Sequence, residues 1–161
     1  MSFGTLTPFQ IQFTVVVSPS TKVDAAKPNT HLPNGNYLTS PWQYTPYRDH
    51  RVHFWITPQD LKFSRTANGR YHDDLQLITI LYRDDGVIAN SIASTVPIEI
   101  SADDLDSVMV SGLNFDQKIA VPTTGNFFLR AGVGEVSSSH VGALEIPVEW
   151  IKPIATSDPS H

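Results

Sequence analysis

Residues 74–100 read DLQLITILYR-DDG-VIANSIASTVPIEI, and this stretch decides the fold. Two extended runs flank the turn signal Asp84-Asp85-Gly86, the sequence mark of a β-hairpin. In the first run, Leu75, Leu77 and Leu81 point one way while Ile78, Ile80 and Tyr82 point the other, because strand residues alternate between faces. A strand apolar on both faces needs cover on both, from the long insertion described below or from another subunit. In the second run Val96, Ile98 and Ile100 share a face and Pro97 opposes them. A proline removes a ladder hydrogen bond, so Pro97, and Pro147 further on, are expected in edge strands.

The same period of two recurs outward in both directions. Phe9, Ile11, Phe13, Val15 and Val17 form one face of a first strand, and Val52, Phe54 and Ile56 alternate with Arg51, His53 and Trp55. Leu61–Phe63 reads as a short strand before the Ala67-Asn68-Gly69 turn, and Leu113–Val121 as a further strand. Phe127, Leu129, Ala131 and Val133 share a face, as do Leu144, Ile146, Val148 and Trp150 in the last strand. Ser101-Ala102-Asp103-Asp104-Leu105 reads as a helix cap with acids in the first turn, giving one short helical turn that ends near Gly112. Seven or eight short strands with one helical turn predict an all-β, immunoglobulin-like antiparallel sandwich; a barrel is the alternative, and the edge-seeking prolines favour the sandwich. The expected core is Phe13, Val52, Phe54, Ile98, Leu129, Leu144, Ile146 and Trp150. The chain reads as a single domain, residues 1–161, with a long insertion over 18–50 and a flexible tail over 152–161.

Composition narrows the function. The 161 residues are 40% hydrophobic and 17% charged, which suits a folded domain, and the net charge of −5 with 11 Lys+Arg opposes a nucleic-acid partner. No run approaches the roughly 18 apolar residues of a membrane helix, so no membrane insertion is expected. The absence of cysteine removes disulfides, thiolate metal sites and cysteine nucleophiles together. His50 and His53 stand three apart, which on a strand places them on opposite faces and prevents joint chelation. The acid pairs Asp73-Asp74 and Asp84-Asp85 and the group Asp103, Asp104 and Asp106 read as turn and cap residues, with calcium the alternative for the last. Gly132-Val133-Gly134 lies within a strand and reads as a bulge or a close backbone approach rather than a phosphate loop. No Gly-x-Ser-x-Gly elbow or other catalytic constellation is present, so neither an enzyme, nor a cofactor, nor a metal is expected.

Two features invite a partner. The insertion carries Tyr37, Trp42, Tyr44 and Tyr47, and Trp55 follows in the next strand; such rings suit a protein interface or stacking on a glycan. The bland alternative is that the loop folds back and the rings become a satellite core. The first strand, with Phe9, Ile11, Phe13, Val15 and Val17, is separated from the rest by proline-rich chain and could pair with another subunit, building oligomers or filaments by strand addition. An ordinary first strand of the same sandwich is the alternative.

From Arg51 to Trp150 the chain resembles the carboxy-terminal β-domain of bacterial von Willebrand factor A-related proteins. The matching pieces are Val52–Ile56, Asp84-Asp85-Gly86, Ser101–Leu105, Gly125-Asn126-Phe127-Phe128-Leu129-Arg130 and Val141-Gly142-Ala143-Leu144-Glu145-Ile146-Pro147. Phe127 stands where that pattern prefers tyrosine, and the Asp-x-Ser-x-Ser adhesion motif of the A domain is absent. The resemblance implies an exported, non-enzymatic sandwich module, extracellular or at the cell surface, that makes protein–protein contacts, with copies of itself among the candidates.

Overall fold

In a computed structural model of the chain, which describes residues 11–25, 38–39, 41–138 and 140–151, the stretch 74–100 forms the expected hairpin. Strands β5 (Tyr71–Arg83) and β6 (Ile88–Ile100) pair antiparallel, with a register shift at Leu81/Tyr82. The turn closes as its residues dictate. Gly86 adopts φ +90°, the Arg83 N–H donates to the Val87 carbonyl at 2.8 Å, and the Asp85 carboxylate accepts from the Arg83 guanidinium and the Val87 N–H.

The remaining strands are β1 (Phe13–Pro19), β2 (Asp24–Ala25), β3 (Pro46–Ile56), β4 (Ser64–Arg65), β7 (Leu113–Pro122), β8 (Phe127–Glu135) and β9 (Val141–Pro147). They make two antiparallel sheets, the all-β sandwich that the alternation predicts. In the four-stranded sheet β3 is central, with β7 along one side and β1 followed by β2 along the other. The five-stranded sheet runs β6-β5-β8-β9, with β4 beside the start of β5. Pro97 and Pro147 therefore both lie in edge strands, where a missing ladder donor costs nothing.

The core fills the space between the sheets. Val52, Phe54 and Ile56 of β3 face Leu75, Leu77 and Leu81 of β5 and Leu129, Ala131 and Val133 of β8, all buried. Ile98 is buried as expected, while Phe13 and Leu144 are half-buried and packed on this core. Ile146 is only half-buried and lies outside the core cluster, because β9 is an edge strand with cover on one flank alone. The Trp150 side chain lies outside the described residues.

Three expectations change. The long insertion is shortened at both ends, since β1 runs on to Pro19 and β3 begins at Pro46; Tyr47–Asp49 keep pace with β7 in register, and Pro46 pairs with Ala25 of β2. The short strand expected at Leu61–Phe63 is absent: these residues are irregular, between a 3-10 turn at Pro58–Asp60, with Pro58 in its first turn where a missing N–H is harmless, and β4. Gly132 and Gly134 mark neither a bulge nor a collision, because β8 pairs in unbroken register and a Cβ on either meets only ordinary contacts.

The close approach is at Gly142 instead, where a Cβ would collide with the Ile11 carbonyl oxygen. The helical turn is α1 (Leu105–Ser111), entered through a Ser101–Asp104 hydrogen-bonded turn and ended by Gly112 at φ +82°.

Buried polar groups stitch the sheets together along one side. Gln117 of β7 donates to the Leu77 carbonyl at 2.9 Å and to Ser94 Oγ at 2.8 Å, and accepts from Thr79 Oγ1 at 2.7 Å. Asn90 of β6 donates to the Ala120 carbonyl of β7 at 3.0 Å. On the opposite side the Ile11 N–H reaches the Val141 carbonyl at 3.1 Å.

Candidate interaction surface

The described aromatic residues singled out by sequence differ in burial. A 3-10 turn at Trp42–Tyr44 closes one end of the sandwich. Trp42 is 8% exposed, edge-on to Phe127 at 5.5 Å, with the Arg83 guanidinium over its ring at 5.1 Å. It belongs to the core, not to a contact surface, because burying a large indole outweighs leaving it in water. Tyr47 is half-buried against the core. Trp55 lies half-buried on the outer side of β3, its indole N–H donating to the Ser111 carbonyl at 2.8 Å and its ring covering Gly112. Tyr44 is 60% exposed, and Tyr37 lies outside the described residues. Of the described rings, Tyr44 alone is mostly exposed.

The expected assembly strand is also placed. Ile11 is buried, and Phe13, Val15 and Val17 pack half-buried on the core, while Phe9 lies outside the described residues. Strand β1 pairs with β3 of its own chain from Phe13–Ile56 to Pro19–His50, so its apolar face and one edge are satisfied internally.

What sequence left unassigned is the outer face of the five-stranded sheet. The register aligns outward-pointing residues into rows across β6, β5, β8 and β9. The first row is Ile88, Tyr82, Phe128 and Pro147; Ile88 is 50% exposed, and Tyr82 stacks on Phe128 at 5.7 Å. The second is Ser91, Ile80, Arg130 and Glu145, and the third Ala93, Ile78, Gly132 and Ala143. The fourth is Thr95, Gln76, Gly134 and exposed Val141. Arg130 and Glu145 are the two charged residues in these sixteen positions, and the face is mainly apolar. The double-sided apolar pattern of 75–82 announces part of it; the rows from β8 and β9 need the register.

Elsewhere the polar groups serve the fold. His50 is buried, and burial holds its imidazole below the usual range, while His53 faces outward between Asp116 at 2.6 Å and Asn114 at 2.9 Å. The two histidines thus occupy opposite faces. Asp73 corrects the reading of Asp73-Asp74 as a turn: both lie in β5, and Asp73 is 3% exposed beside Glu135, itself 2% exposed.

Glu135 accepts from the Lys62 N–H at 2.6 Å and from Ser138, and His140 Nδ1 stands 3.5 Å from its carboxylate. Asp73 Oδ2 is buried with no donor, so its meeting with Glu135 becomes a hydrogen bond only when one of them is protonated. Burial first, then Glu135, pushes Asp73 from its ordinary 3.8 to about 8. Among the described residues no group of three His, Cys, Asp or Glu is placed to hold a metal ion, and no helix is long and apolar enough to cross a membrane. No protein-family model, curated protein or solved structure matches the chain.

Proposed function

We propose that this protein is a non-catalytic interaction module whose outer five-stranded sheet face binds protein. One observation carries the reading: the row Ile88, Tyr82, Phe128 and Pro147, continued by Ile80 and Ile78, sets apolar side chains on the solvent side of four adjacent strands. Sheets in sandwiches ordinarily turn polar side chains outward, and contiguous apolar surface of this kind marks contact sites. Aromatic residues flanked by aliphatic ones are the composition of interface centres. Strand addition through β1 is a weaker route, because β1 already pairs with β3. Glycan stacking is weaker too, because Trp42 is buried and Trp55 covers Gly112.

The test is photo-crosslinking in the cells that make the protein. A benzophenone amino acid at position 128 is expected to capture protein, while the same group at exposed Lys118 on the other sheet is not. Crosslinks from 118 alone, or from neither position, would remove this face as the contact surface.

A further inference from the structure

We infer that a second copy of this chain covers the outer face, packed about a two-fold axis running along the strands between β5 and β8. This rests on the reading of that face as a protein contact, and it names the partner. A two-fold axis in that position carries β5 onto the partner's β8 and β6 onto the partner's β9, so all four strands overlap. At the centre, where the twist of facing sheets displaces the rows least, the match is residue by residue. There Ile78 meets a flat spot at Gly132, while in the end row Tyr82 comes opposite the partner's Phe128.

Polar groups match as well. Glu145 faces the Ser91 hydroxyl, and Arg130 lays its aliphatic stem over Ile80 while its guanidinium stays within reach of Glu145 on the same sheet, its register neighbour. Arg130 and Glu145 are both exposed and, among the described residues, bonded to none. In its middle rows the face sets Ile78 opposite Gly132 and Glu145 opposite a hydroxyl under its own two-fold rotation, the self-complementarity that an isologous dimer requires.

The area also suffices. Four strands about 4.8 Å apart and four rows about 6.8 Å apart, with side-chain margins, give a footprint on the order of 550 Å² per copy. The pair buries about 1,100 Å², just past the roughly 1,000 Å² that a specific interface needs.

Sedimentation equilibrium of the full chain over a range of concentrations tests this, with four variants. Wild type is expected to be a dimer in equilibrium with monomer. Phe128→Glu is expected to be monomeric. Gly132→Leu is expected to be monomeric, with the melting temperature that wild type shows at dilutions where it too is monomeric, because a Cβ at Gly132 meets only the Gly142 carbonyl oxygen at 3.6 Å and the rest points outward. Adding Ile78→Ala to Gly132→Leu is expected to restore the dimer by exchanging knob and hole, while Ile78→Ala alone keeps it.

A wild type that stays monomeric overturns the inference; crosslinks from position 128 to a different protein would then leave the contact reading standing. A dimer that persists in Phe128→Glu, or one lost in Gly132→Leu and not recovered in the double variant, overturns it as well.

Discussion

Asp73 shows how much one buried side chain can decide. Its carboxyl group sits beside that of Glu135, and burial followed by that neighbour raises it from 3.8 to about 8, so that at neutral pH it can donate its proton to Glu135. A carboxyl raised in the folded state contributes stability that is complete below its unfolded value, near pH 4, and is lost as pH rises through about 8. Glu135 acts in the opposite sense. Burial pushes it up, but hydrogen bonds from Asp73, Ser138 and the Lys62 N–H outweigh that and hold it below the ordinary carboxylate range; its contribution is lost as pH falls through that lowered value. Asp73→Asn replaces the shared proton by an amide donor. Thermal melts from pH 4 to 9 should therefore show wild type losing stability toward pH 8 while the variant stays nearly flat, and crossing above wild type at the alkaline end. Parallel curves would mean that the pair does not share a proton. Nothing in the string Asp73-Asp74 signals this, because the partner lies some sixty residues away and a strand acid reads locally as a turn acid. Gln117 escaped notice for the same reason, as its partners Thr79, Leu77 and Ser94 come from two other strands.

Elements were legible wherever one face is buried, since alternation alone then fixes both type and orientation. The hairpin at 83–88, the inward sides of β3, β5 and β8, and the stop of α1 at Gly112 follow from residues within a few positions of one another, whereas Ser101, expected as the helix cap, forms the turn before it and Asp104 takes the cap position. Boundaries failed where tertiary pairing extends a strand past its apolar run, as β3 does back to Pro46. The join between α1 and β7 gives a sharp test. Gly112 has φ +82°, and a Cβ there would lie 2.5 Å from the Trp55 indole. Gly112→Ala meets both a strained backbone and a displaced ring, and should cost about 1–3 kcal/mol by denaturant titration, with the Trp55 fluorescence altered in the native baseline. The core gives a graded comparison. Leu129→Ala should cost about 2–5 kcal/mol, and Ile146→Ala at the edge distinctly less, since Leu129 is fully buried and its cross-strand neighbour is not. Equal losses would show that β9 is as well covered as β8.

At the scale of the molecule, sequence specified the class of fold but not its binding surface. A two-layer sandwich follows from counting alternating runs, whereas a contact face depends on which strands become neighbours. The register that brings Phe128 beside Tyr82 is set by β8 joining β5 across more than forty residues of chain. Of the described rings of the insertion, Trp42 is taken up by the core, Tyr47 is half-buried against it and Tyr44 stands mostly in solvent. The two long sides of the sandwich also differ in how they are held. The β6–β7 side is joined by buried side chains of Gln117 and Asn90, and the other side by backbone bonds around Ile11 and a Gln12 N–H to Asp60 at 3.2 Å. Amides of β1 should accordingly exchange with deuterium well before those of β7 and β5, as read by native-state exchange; equal protection would argue for one cooperative unit. The molecule is then a book, with its spine along β6 and β7 and a clasp at Ile11. Its cover, the face bearing Tyr82 and Phe128, hangs from the spine. Opening the clasp frees the first leaf and leaves the cover flat, so a copy that has let β1 go still carries the surface by which it is held.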